Sequence, residues 1–169
     1  MRLVRSLVSR APIDAEIRAA RYPNHDPARW ALPLVDALDR LATGWQVVEL
    51  DEATFAALWL PAHEGEPCHG DSMRLGDDPA GQPVRSAIEW LDVHRDAYAS
   101  ANPSCWGRIT HAATASSAAP IVVSPVNVGD RVMPPHAALV VVDGLHRAVG
   151  YALAGRRTCL AYVPMVEGE

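Results

Sequence analysis

Five consecutive residues, Asp143-Gly144-Leu145-His146-Arg147, gather a carboxylate, an imidazole and a guanidinium around one glycine. Before them, residues 139–142 are an apolar, β-branched run of strand type. After them the pattern is helical through Val149 and Leu153 until Gly155 provides a helix C-cap, and residues 158–163 read as a second buried strand. A strand feeding a helix through such a turn suits anion binding, because the first helical N–H groups lack intrahelical partners and carry the positive end of the helix dipole. Gly144 lets the backbone approach a ligand, while His146 and Arg147 add donors and charge suited to phosphate oxygens. In this reading Asp143, at the strand end, faces a magnesium ion or a substrate amine. The plainer alternative is a structural turn in which Asp143 caps the helix and Arg147 faces water.

A second concentration of chemistry lies in residues 62–83, a stretch of 22 residues rich in Gly, Pro, Asp and His without periodicity. It holds His63, Glu64, Glu66, Cys68, His69, Asp71 and Arg74. Loops longer than about 12–15 residues inside a compact domain are usually lids or binding loops, which places this one beside the active cleft. Cys68, His69 and Asp71, with His63, are metal-ligand types. No second Cys-x-x-Cys or His-x-x-x-His pair accompanies them, which argues against a structural zinc site. Cys105 and Cys159 read as packing residues, and His94 and His111 carry no assigned role.

The elements that must position these groups follow from pattern. Residues 2–8 alternate weakly and fit an edge strand or a short helix, and residues 14–20 read as a helix. Asp26-Pro27 opens another helix, carrying Pro33 and ended by Gly44, followed by a strand over residues 45–50. Asp51 is a cap for a helix over residues 52–60, closed by Pro61. Pro83 starts a helix over residues 84–100, and residues 104–119 fit a helix or a substrate-lining loop. Residues 121–126 read as a strand, and Pro125 within it points to a sheet edge.

Composition bounds the function. A chain of 169 residues suffices for one domain with a sizeable core, here 1–169. All 15 basic residues are arginine, so Schiff-base chemistry and a P-loop lysine are excluded. A formal charge of −5 argues against general nucleic-acid binding, since that needs a basic surface. No apolar run is long enough to cross a bilayer, and the arginine-bearing first ten residues lack a secretory h-region. With three widely spaced cysteines, the expectation is a reduced, cytoplasmic protein without membrane association.

The order Pro120-Ile-Val-Val, a variable turn, Val141-Val-Asp-Gly-Leu-His-Arg-Ala, Gly155 and a closing apolar strand resembles the ParB/sulfiredoxin-like superfamily. That group includes chromosome-partition CTPase domains, sulfiredoxins and ATP- or ADP-dependent kinases of free serine. Sulfiredoxins resemble Gly-Gly-Cys-His-Arg at this turn, with cysteine as nucleophile, whereas this chain has Leu145. The partition proteins tend toward Gly-x-Arg-Arg. The Asp-Gly-x-His-Arg form looks closest to the serine-kinase-like branch.

The resemblance implies an α+β fold: a small mixed sheet with the turn at one end, a helical extension over 1–44 and a core over 45–169. It implies a nucleotide-dependent phosphotransferase acting on a small hydroxyl-bearing metabolite such as a free hydroxy-amino acid. ATP or ADP would set its phosphates against Gly144, Leu145, His146, Arg147 and Ala148, with Mg2+ held by Asp143. Leu60-Pro-Ala-His-Glu64 resembles a Pro-x-His-Glu stretch of the serine-kinase-like branch, which implies Glu64 as the base, with Asp143 and His146 completing the catalytic set. Glu49 and Glu52 are reserves. The chain departs from the family in its long N-terminal half and in lacking a polar helix with a terminal glycine before Ile121. Two alternatives stand beside this reading. One is a non-catalytic, nucleotide-binding regulatory module. The other is an enzyme of specialised metabolism whose turn binds a substrate carboxylate, with a metal site in residues 63–71.

Overall fold

Period-two alternation sends successive strand side chains to opposite faces of a sheet, and here helices cover both faces. The computed structural model describes residues 1–7, 9–20, 26–63, 73–116 and 118–166. Among these the chain runs β1 (Arg2–Leu7), α1 (Ala11–Ala19), α2 (Ala28–Asp39), β2 (Ala42–Leu50), α3 (Glu52–Ala56), β3 (Trp59–Pro61) and β4 (Gly81–Pro83). It continues with α4 (Val84–Ala101), α5 (Pro103–Thr114), β5 (Ile121–Ser124), β6 (Val140–Asp143), α6 (Leu145–Leu153) and β7 (Cys159–Val166). The strands form one mixed sheet in the order β1-β2-β7-β5-β6-β3-β4, so the fold is α+β. No helix among the described residues is long and apolar enough to cross a membrane.

Two cores result. Val48 and Leu50 of β2, Val123 of β5 and Ala161 of β7 pack with Leu91 of α4, Ile109 of α5 and Val149 of α6. The intervening Val47, Val122 and Tyr162 join the opposite core with Ile13 and Ile17 of α1 and Val35 and Leu38 of α2. Residues 1–44 therefore contribute a strand to the sheet edge and a helical layer to one of its faces. Pro33 lies on the exposed side of α2, where the hydrogen bond it cannot make faces solvent.

Several local expectations are corrected. Gly44 does not end a helix: α2 stops at Asp39, and Gly44 lies within β2, opposite Met165 of β7. Asp51 does cap α3, accepting from the Thr54 N–H at 2.9 Å, but the helix ends at Ala56. Trp59 N–H donates to the Leu139 carbonyl at 3.0 Å, so cross-sheet pairing overrides the local helical pattern. Residues 121–124 are no edge strand. β5 lies between β7 and β6, and Pro125 falls just beyond it, where no ladder hydrogen bond is required of it. The undecided stretch after Asn102 is helical as α5.

Candidate functional site

The parallel pairing of β3 with β6 brings their C-terminal ends to the same end of the sheet. From β3 the chain runs on to His63, and from β6 it passes through Gly144 into α6. The C-terminal ends of parallel strands are where open α/β sheets characteristically bind ligands. Gly144 is the N-cap of α6 with φ +93°, and no side chain caps the helix, so Asp143 does not fill that role. A Cβ on Gly144 would stand 2.8 Å from Ile121 Cγ2 and 3.0 Å from Arg147 Nε. Both the backbone conformation and the space therefore require glycine.

Asp143 and Arg147 meet each other. Arg147 Nη2 donates to Asp143 Oδ2 at 2.6 Å, and Nη1 donates to the Pro120 carbonyl at 2.8 Å. Nη1 also lies 3.9 Å from Glu16 Oε2, and Glu16 Oε1 accepts the Tyr162 hydroxyl at 2.9 Å. The guanidinium expected on a phosphate thus ties together the turn, the start of β5 and helix α1. Both members of the 2.6 Å pair are largely shielded, with side chains 20% and 12% exposed.

Above this turn opens a cavity of about 730 Å³. That falls within the roughly 300–1,000 Å³ typical of small-molecule sites. Glu16 and Ala19 of α1 and Trp30 of α2 form one wall, Arg108 and Ala112 of α5 another, and Asp130 and Arg131 a third. His63, Asp143, Gly144, Leu145, His146 and Arg147 line the end nearest the sheet. Tyr151 also lines it, donating its hydroxyl to the Ala119 carbonyl at 3.0 Å. Burial pushes that hydroxyl's pKa up, so it acts as a neutral donor.

Helix α5 crosses α6 closely at Gly150, where a Cβ would lie 2.4 Å from the Ile109 carbonyl oxygen and 2.8 Å from Ala112 Cβ. This approach brings fully buried Cys105, in the first turn of α5, beside His146 in the first turn of α6. His63 Nε2 is 3.2 Å from Cys105 Sγ, and the His63 and His146 rings meet edge to face with centroids 4.9 Å apart. Ligand atoms of all three residues lie within 4.8 Å of one another. Arg108 Nη2 adds a contact to Cys105 Sγ at 3.6 Å.

The structure thus gathers Asp143, Gly144, Leu145, His146 and Arg147 at one cavity. Ala148 is placed differently: it is fully buried, and its N–H donates to the Gly144 carbonyl at 2.9 Å. Glu64, Glu66, Cys68, His69 and Asp71 lie outside the described residues. Cavity and triangle residues without a functional assignment from sequence include Glu16, Cys105, Arg108 and Arg131. Cys105 and Arg108 share a face of α5 at i,i+3 spacing, a signal that becomes readable once that stretch is recognised as a helix. Glu16 and Arg131 reach the cavity only through tertiary packing.

The chain matches the family of unknown function DUF6309 over residues 4–166 and belongs to that family. No curated protein and no solved structure matches it.

Proposed function

We propose that this chain is a nucleotide-dependent phosphotransferase acting on a small hydroxyl-bearing metabolite such as a free hydroxy-amino acid, on a fold of the ParB/sulfiredoxin-like type. The observation that carries this reading is the N-terminus of α6, without a side-chain cap, opened by left-handed Gly144 and set at the end of a 730 Å³ cavity. There the N–H groups of Leu145, His146 and Arg147 suit the oxygens of a nucleotide's phosphates. With Arg147 engaged by Asp143, the positive charge facing those phosphates comes from Arg108 and Arg131 on the other walls.

Asp143 keeps one carboxylate oxygen beyond that held by Arg147. One or two carboxylates plus substrate phosphates are the usual complement of Mg2+, so the residue fits the ion. Held there, Mg2+ would supply neutralisation of phosphate charge. The chain's own work is to align donor and acceptor and to remove the acceptor proton. Glu64, next in sequence to cavity-lining His63, is the residue assigned that proton.

Calorimetric titration of ATP, ADP and CTP with Mg2+, on wild type and Arg131→Ala, tests the reading. One nucleotide bound per chain, weakened in the variant, together with labelled phosphoryl transfer to a hydroxy-amino acid, is the expected result. Binding without transfer to any such acceptor would move the chain to the regulatory-module class. Failure of all three nucleotides to bind would end the phosphotransferase reading.

A further inference from the structure

We infer that His63, Cys105 and His146 form a binding site for one transition-metal ion of the zinc class. The site does not rest on the phosphotransferase reading, because its three ligand side chains are none of the groups assigned to the phosphates, which are backbone N–H groups and the Arg108 and Arg131 side chains.

The geometry is close to what such an ion requires. Bond lengths of about 2.3 Å to sulfur and 2.0–2.1 Å to nitrogen put S and N about 3.6 Å apart across a tetrahedral zinc, and two nitrogens about 3.3 Å apart. The His63 Nε2 to Cys105 Sγ separation is 3.2 Å, and no two of the three ligand atoms are more than 4.8 Å apart. Shifts of a few tenths of an ångström to about 1.5 Å, within reach of side-chain torsions, close the site.

Ligand chemistry narrows the ion. Two imidazoles and a thiolate favour zinc, cobalt, nickel or copper over magnesium or calcium. Cys105 is fully buried, in the first turn of α5 and 3.6 Å from the Arg108 guanidinium. A nucleophilic cysteine requires one imidazole as its base, whereas here two rings converge on the same sulfur. Among the described residues three ligands gather, and two of them, His63 and His146, border the cavity, so an ion held by them lies at its lining.

Untagged full-length protein, stripped with a chelator, is titrated with Co2+ and Zn2+. The expected result is one ion per chain, with thiolate-to-cobalt charge-transfer absorption that Cys105→Ser abolishes and Cys68→Ser retains. His63→Asn and His146→Asn each weaken Zn2+ binding more than about 100-fold, the upper effect of residues that merely support ligands. Circular dichroism identifies any variant that fails to fold, and the remaining variants then decide. No stoichiometric binding by wild type overturns the site, as does absorption that survives Cys105→Ser or depends on Cys68. Nucleotide titration of Cys105→Ser keeps the two readings apart, since loss of cobalt with nucleotide binding intact assigns the triangle to the metal alone.

Discussion

Arg147 grips Asp143 across the Gly144 turn at 2.6 Å while its other terminal nitrogen donates to the Pro120 carbonyl at 2.8 Å. One side chain thereby fixes the end of β6, the entry to β5 and the start of α6. Glu16 extends the same network to α1, on the opposite face of the sheet from α5. The donors at the N-terminus of α6 are consequently held in place before any ligand arrives, which lowers the ordering cost of binding.

Arg147→Ala leaves a carboxylate of 12% exposure without its partner and two elements without their tie. Removing one member of a shielded pair should cost about 2–4 kcal/mol, measured by urea denaturation. Among the described residues Arg131 contacts a carboxylate only at neighbouring Asp130, so Arg131→Ala should cost about 1 kcal/mol or less. Nucleotide binding should fall in both variants. Equal stability losses would refute the division between a pinning and a ligand-facing arginine.

Gly150→Ala forces a methyl group into the α5–α6 crossing, against backbone at Ile109 and the Ala112 side chain. Overpacking of this kind costs about 1–3 kcal/mol. Because the crossing also sets Cys105 beside His146, cobalt affinity should drop in the folded variant. A thermal melt and a cobalt titration on the same preparation would show whether the two losses travel together.

The segment from β6 to β7 was legible because each boundary has a local cause: a β-branched run, Asp143-Gly144, a helical apolar face and Gly155. The three-residue strands β3 and β4 are too short to display a period, and they exist because Trp59, Leu60 and Pro61 find partners across the sheet. Pro125 misled for a related reason: proline is incompatible with a ladder position, yet one residue past β5 it says nothing about which neighbours the strand has. Reading Cys105 as a packing residue captured its burial and missed its contact with His63, 42 residues away. A meeting at that separation leaves no trace in local spacing.

Alkaline pH should weaken the fold through two buried groups. Burial pushes the Cys159 thiol from 9.0 up to about 12, with Arg147 and Arg156 pulling the other way. The Tyr162 hydroxyl rises from 10.0 to about 12, first by burial and then by its hydrogen bond to Glu16. Both folded-state values exceed the unfolded ones, so their contribution is complete below about pH 9 and is lost as pH rises towards about 12. Urea midpoints at about pH 8 and pH 10.5 should therefore differ, and Cys159→Ala should narrow the gap. A gap unchanged by that substitution would remove Cys159 from the account.

Glu16 links the buried Tyr162 to the cavity, since its carboxylate accepts the Tyr162 hydroxyl, approaches Arg147 and lines the cavity. Glu16→Gln keeps an acceptor for the hydroxyl but removes the charge. Stability should change by about 1 kcal/mol or less, because the hydrogen bond survives and the contact to Arg147 at 3.9 Å is long. The Tyr162 phenolate should titrate at lower pH, as Glu16 is one of the groups raising it. Binding of inorganic phosphate should tighten about two- to fivefold, the effect of removing one partly screened negative charge from the wall of an anion site. Tyrosine absorbance across the alkaline range and a phosphate titration measure these separately. A lowered Tyr162 titration with unchanged phosphate affinity would confine Glu16 to the core and detach α1 from the function of the cavity.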